Sequence, residues 1–153
     1  MSSLFSIFNV AGSGMAAQSL RLNTVASNLA NAESVSSTPE GAYHAREPLF
    51  AAVHKRQSAL LGDGIGSSAS ADAGAGASEG VQVLGITESQ EAIPARYEPG
   101  NPLANADGYV YGSNVNPVDA LVNMISASRS YQNNVEVMNT AKQLMTKTLT
   151  LGQ

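Results

Sequence analysis

All six prolines of this chain (Pro39, Pro48, Pro94, Pro99, Pro102 and Pro117) lie in its middle stretch, and so do its glycines apart from Gly12, Gly14 and Gly152. A proline ring removes a backbone donor and clashes with the preceding helical turn, so long helices are confined to the two ends. In the first arm Leu4, Phe8, Ala11, Met15, Gln18, Leu22, Val25, Leu29 and Ala32 alternate four and three apart, which lays one stripe along an α-helix. Only Gln18 breaks its apolar character. The second arm repeats the pattern less strictly through Val118, Leu121, Ile125, Ser128, Tyr131, Val135, Met138, Met145 and Leu149, with Lys142 interrupting it. Asn116 is placed to cap this helix, Pro117 to occupy its first position, and Asp119 to meet the positive end of the helix dipole. At 1.5 Å per residue the second helix reaches about 50 Å, more than a small domain can bury by itself.

Between the arms, Val81 to Glu88, Ile93 to Glu98 and Tyr109 to Tyr111 read as short strands separated by turn chemistry at Pro99-Gly100 and Asp107-Gly108. Ser58 to Gly80 is dominated by Gly, Ala and Ser, too poor in bulky side chains to repay the entropy of ordering, and reads as a flexible loop. A tolerated surface insertion accounts for it as well as a function does, because long loops cost little to close. The expected fold is therefore mainly α with a small β element. An N-terminal helix spans 1–33, a central β/loop region 34–115 with its loop at 58–80, and a C-terminal helix 116–153. The two helices are expected to pair as a coiled-coil-like arm.

Several function classes are disfavoured by composition. The 153 residues suffice for one modest core, and 8 basic against 12 acidic side chains, with no basic cluster, make nucleic acid an unlikely partner. With no cysteine there is neither a disulfide nor a thiolate metal site. The Met-Ser-Ser-Leu-Phe-Ser-Ile-Phe start lacks the basic and continuous apolar regions of a cleaved secretory signal, and no run of about 18 apolar residues exists to span a bilayer. No Sec-type export and no membrane insertion are expected.

Charge is scarce where a solvated helix would carry it. Charged residues are 13% of the chain, about half the usual share, and before Glu33 the only ionisable side chain is Arg21. The face opposite the N-terminal stripe is built of Ser, Asn, Gln, Thr and Ala, which suits a helix whose second face also meets protein and, on composition alone, equally an ordinary amphipathic helix without charge. The character shared by both arms favours the former. Gly12 and Gly14 each cost about 1 kcal/mol relative to Ala in an isolated helix, so this arm is marginal until packed. The expectation is a monomer partly unfolded at both ends, whose arms become helical and pair only in an oligomer.

The stretch Gly14 to Ala32, with its Ala-Ser-Asn-Leu-Ala-Asn core at 26–31, resembles the N-terminal signature of the flagellar axial family of rod and hook proteins. Tyr97 to Val110 (Tyr-Glu-Pro-Gly-Asn-Pro-Leu-Ala-Asn-Ala-Asp-Gly-Tyr-Val), Ser128 to Asn139 and Lys147 to Gln153 are similar to the corresponding blocks of its FlgC-type rod branch. The blocks come in the family's order and at its chain length. Distal-rod and hook members are longer in the middle, so the short centre here resembles a proximal rod subunit. The departures fall in the low-complexity loop and near Gly41 to Arg46.

The resemblance implies terminal helices forming an inner tube with the β element outside, a drive shaft carrying motor torque to the hook, and no catalysis or cofactor. It implies export through the flagellar type III apparatus into the periplasmic rod. The partners it implies are other rod subunits, copies of the same chain and the export-gate/MS-ring junction. Expected subunit-contact residues are Leu22, Asn23, Val25, Asn28, Leu29 and Asn31 in the first arm. In the second they are Ile125, Arg129, Tyr131, Val135, Met138, Met145 and Leu149.

Individual residues carry competing readings. Gln18 is either a register-setting amide or a simple interruption of the stripe. Asn23, Asn28 and Asn31 bond between subunits or cap a helix end, and the signature favours the former. Arg129, if buried, requires a carboxylate or carbonyl partner. His44 and His54 do not have the spacing of a helical zinc site and read as surface histidines. The glycines at 62, 64, 66, 74 and 76 lack the strand-to-helix context of a phosphate loop. Glu88, Glu91 and Glu98 offer the carboxylates for an alternative function, a periplasmic peptidoglycan hydrolase, although no aromatic groove accompanies them. A secreted coiled-coil adaptor is a third reading, disfavoured by the Pro-Gly-Asn-Pro segment and the C-terminal block.

Overall fold

A computed structural model describes residues 2–54 and 78–151. The chain opens with α1 (Ser2–Ala30), passes through β1 (Val35–Ser36) and a single 3-10 turn (Pro39–Gly41), and forms the strands β2 (Arg46–His54) and β3 (Ser78–Glu88). It continues through β4 (Ala95–Tyr97) and β5 (Tyr109–Gly112) into α2 (Pro117–Leu151). Both terminal helices stand where the proline distribution requires, and no described helix is long and apolar enough to cross a membrane. Most of the expected 58–80 loop lies outside the described residues, and Ser78–Gly80, assigned to it, open β3 instead.

The helices pack against each other in opposite directions. Arg21 near the end of α1 donates to Asn123 near the start of α2 (Nη2–Oδ1 2.8 Å), while Gly12 lies beside Met138 and Gly14 beside Asn134. The start of α2 is the capped end the sequence calls for. Asn116 Oδ1 accepts from the Val118 amide (3.0 Å), and its Nδ2 donates to Asp119 (2.8 Å), so the amide side chain serves the helix end twice.

Two small antiparallel sheets sit beside the helix pair. One has the order β1-β5-β4, with Val35 opposite Gly112 and Tyr97 opposite Tyr109, and ties the exit of α1 to the entry of α2. Val110 at its centre is fully buried. The turn from β4 to β5 is closed by Asn105, whose Oδ1 accepts from the amides of Asp107 (3.0 Å) and Tyr109 (2.9 Å), with Gly108 at φ +81. The other sheet is the β2–β3 ribbon, which lies along α1 and bulges at Leu49/Phe50 and Val53/His54. Neither β1 nor β2 was expected. β2 hides in the sequence because it carries Pro48 and two adjacent alanines, tolerable only in a strand with an unpaired edge, as this two-stranded ribbon provides.

Candidate subunit interface

Two sides of α1 are occupied within the chain, and Asn9, Ala16, Ser19, Asn23, Ala26 and Ala30 lie exposed along a third. Ala11 and Val25 are buried, and Phe8, Met15, Gln18, Leu22, Leu29 and Ala32 are at least half-buried, so the stripe read from the sequence is its covered face. The opposite polar face meets the β2–β3 ribbon and the loop before it. Ser13 Oγ donates to Val10 O (3.0 Å) and accepts from the Val81 amide (3.1 Å). Thr24, buried, returns its hydroxyl to Leu20 O (2.9 Å).

Asn28 is the best-satisfied of these groups. Its Nδ2 donates to Arg46 O (2.8 Å), and its Oδ1 accepts from Arg46 N (2.9 Å) and from the Tyr43 hydroxyl (3.0 Å). At 8% exposure this buried amide clamps the start of β2 onto α1, and the bonding capacity read as intersubunit is engaged inside the chain. Asn31 bonds back to Ser27 O (2.8 Å) and caps the helix end, whereas Asn23 is exposed. Gln18 is different: its Oε1 is buried and has no hydrogen-bond partner among the described residues. An unsatisfied amide oxygen costs roughly 1–3 kcal/mol, so this residue works against the seam it sits in.

On α2 the covered face is not the one the bulky residues mark. Ala120, Ala127 and Ala141 are the buried positions, accompanied by half-buried Met124, Asn134, Val135, Met138 and Met145. The small residues let the helices approach closely: a Cβ at Gly14 would stand 2.8 Å from Asn134 Nδ2. The expected stripe departs from this seam over the first half of α2. Val118, Leu121 and Ile125 are exposed, as is Leu149 at the far end, while Ser128 is half-buried and Tyr131 is 37% exposed. The physical reason is size, since alanines permit a backbone approach that branched side chains at the same register prevent. Arg129 is exposed and has no side-chain partner among the described residues, so no buried counter-charge is required.

The remaining candidates are dispersed. His44 Nδ1 lies 3.1 Å from Ser89 O, Glu88 pairs with Arg46 (3.1 Å), and Glu98 accepts from Asn101 (3.1 Å). No group of three metal-binding side chains occurs among the described residues. The glycines at 62–76 lie outside them. What the described surface offers is contact area: Phe5, Ile7 and Val10 on α1, Val118, Leu121, Val122, Ile125, Val137 and Leu144 on α2, and Leu84 and Ile86 on the ribbon are all exposed. Isolated apolar side chains on a surface are ordinary, but several on one helix face mark a binding surface. Sequence reasoning passed over Val122, Val137 and Leu144, although Val122 completes an i, i+3, i+4, i+7 set with Val118, Leu121 and Ile125.

Comparison with known proteins places matches on the same elements. Residues 8–35 match the family described as flagella basal body rod protein, and residues 106–151 match the flagellar basal body rod FlgEFG protein C-terminal family. The flagellar basal-body rod protein FlgC of Salmonella typhimurium is 48% identical over 150 residues, covering 98% of each chain. The protein of the same name from Escherichia coli O157:H7 is also 48% identical with the same coverage. That from Yersinia enterocolitica is 46% identical over 151 residues, covering 99% of each chain.

Proposed function

The chain belongs to the flagellar basal-body rod protein family, FlgC type, and we infer from that membership and from its unpartnered apolar surfaces that it works by assembly. It is a structural subunit of the bacterial flagellar basal-body rod, joined there to other rod components. The carrying observation is the near-full-length identity to rod proteins, with the family matches falling on α1 and α2.

The finer reading is a proximal rod subunit, in the periplasmic part of the drive shaft, that transmits torque by helix-to-helix contact and catalyses nothing. In it the helix pair is coiled-coil-like. Ala120, Met124, Ala127, Asn134, Met138, Ala141 and Met145 keep a four-and-three spacing along the covered side of α2, the period of knobs entering holes, and the exposed Tyr131 stands at the position between Ala127 and Asn134 where that row reaches the surface. Asn23, Ile125, Arg129, Tyr131 and Leu149, all exposed, make the contacts with neighbouring subunits. Leu22, Val25, Asn28, Leu29, Asn31, Val135, Met138 and Met145 serve the interface from behind, by holding those side chains on a rigid pair. The type III export apparatus and the export-gate/MS-ring junction are the further partners on this reading. The hydrolase alternative draws no support from the relatives, and Glu88 and Glu98 are already engaged with Arg46 and Asn101.

Deleting the gene from its bacterium and imaging isolated basal bodies tests the reading. Rods should be missing and return with the wild-type gene, with density traceable for this chain when it is present. Normal basal bodies and full motility in the deletion strain would overturn it.

A further inference from the structure

Midway along the helix pair, each helix turns an amide into the seam. On α1, Gln18 stands seven residues from Ala11 and seven from Val25, both buried, and on α2 Asn134 stands seven from Ala127 and seven from Ala141, both buried. The two amides occupy matching places in the repeat, where a polar side chain sets the register of a helix pair once it bonds to its counterpart. Here they do not bond. Gln18 Oε1 is buried and without a partner, and the Asn134 side chain makes no hydrogen bond among the described residues. Asn134 lies instead over Gly14, where a Cβ would stand 2.8 Å from its Nδ2 and 3.3 Å from its Cγ. Gly14 and Gln18 are one turn apart on the same side of α1. Helical side chains lean toward the N-terminus of their own helix, so in this antiparallel pair the two amides lean toward each other.

We propose that Gln18 and Asn134 form a register latch with two settings, open in the lone chain and closed in the rod, where Asn134 leaves the hollow at Gly14 and its Nδ2 donates to Gln18 Oε1. The proposal rests on the rod reading and adds to it a change inside the subunit on joining. A buried amide oxygen without a donor favours any nearby arrangement that supplies one. Rotation of two side chains and a slight shift of α2 on α1 supply it here. The seam is faced by Ala120, Ala127 and Ala141, which offer few interlocking atoms to resist that shift. Neighbours that bind the closed setting better than the open one move the chain into it.

Gln18→Leu separates the two settings. The purified variant should be more stable, its folding equilibrium constant in urea titration rising about tenfold because the orphaned oxygen is gone. Cells carrying it should nevertheless lose swarming, since the closed setting is no longer available. Asn134→Leu should change the constant of the purified chain by less than about threefold, because its amide is unbonded there, and should lose swarming too. Exchanging the two residues, Gln18→Asn with Asn134→Gln, should restore swarming, because the exchange keeps both donor and acceptor in the seam. A Gln18→Leu chain no more stable than wild type overturns the latch, since the oxygen then has a partner, a bound water included. Full swarming in a stabilised Gln18→Leu strain overturns it as well, and so does an exchanged chain that stays immotile. All three leave the rod reading standing; basal bodies that lack the wild-type chain sink that reading and the latch with it.

Discussion

α1 and α2 are both long helices with an apolar stripe, yet their stripes end in different places. α1 lies between α2 and the β2–β3 ribbon, and its stripe is covered by its own chain. α2 meets α1 along a seam of alanines and leaves Val118, Leu121, Val122 and Ile125 outside. The contrast teaches that an apolar stripe states a need for cover and says nothing about which molecule supplies it. In α1 the cover is intramolecular, while the outer face of α2 finds none among the described residues.

The comparison breaks most readily at Asn28. Replacing it by Leu strips the Arg46 backbone and the Tyr43 hydroxyl of their partner, and unfolding in urea should show a loss of about 3 kcal/mol. A loss under about 1 kcal/mol would mean that α1 is not held to the ribbon by this amide. Next comes a matched pair. Val25→Ala should cost about 2 kcal/mol, because Val25 is 6% exposed, and Ile125→Ala less than about 0.5 kcal/mol, because Ile125 is 55% exposed. Equal losses would erase the distinction between the two helices.

The glycines of α1 sharpen the seam itself. Gly12→Ala places its Cβ 3.9 Å from Met138, an ordinary contact, and should stabilise by about 1 kcal/mol through helix propensity. Gly14→Ala drives its Cβ against Asn134, and should recover less than half of that. Ile125→Glu completes the series: unfolding should move by less than about 0.5 kcal/mol, yet swarming should be lost. Wild-type swarming in that variant would mean that α2's outer face needs no cover. Circular dichroism of dilute monomer should report fewer helical residues than the 29 and 35 of α1 and α2, rising on assembly. Helicity already complete in the monomer would remove the idea that the arms order on joining.

Much of this was legible along the chain. Proline placement marks both helices, and Asn116, Pro117 and Asp119 mark the start of α2, because caps and breakers act within one helical turn. The α1 stripe and β3 are legible for the same local reason. β2 is not, because its strand character comes from pairing with β3 across residues distant in sequence, as Phe50 opposite Val83 shows. The α2 seam is not legible either, since periodicity locates a bulky apolar face and is blind to an alanine face one position away. Asn28 stands in the recognisable signature, but nothing local reveals that its amide closes onto Arg46 and Tyr43.

By itself, then, the order of residues determined two terminal helices, a turn-rich centre and a surface poor in charge, because propensity, capping and composition are properties of short segments. Only the tertiary structure decided which face of each helix is covered from within and which stays open. That choice depends on how closely two backbones approach, and closeness is set by small side chains from both helices meeting at once.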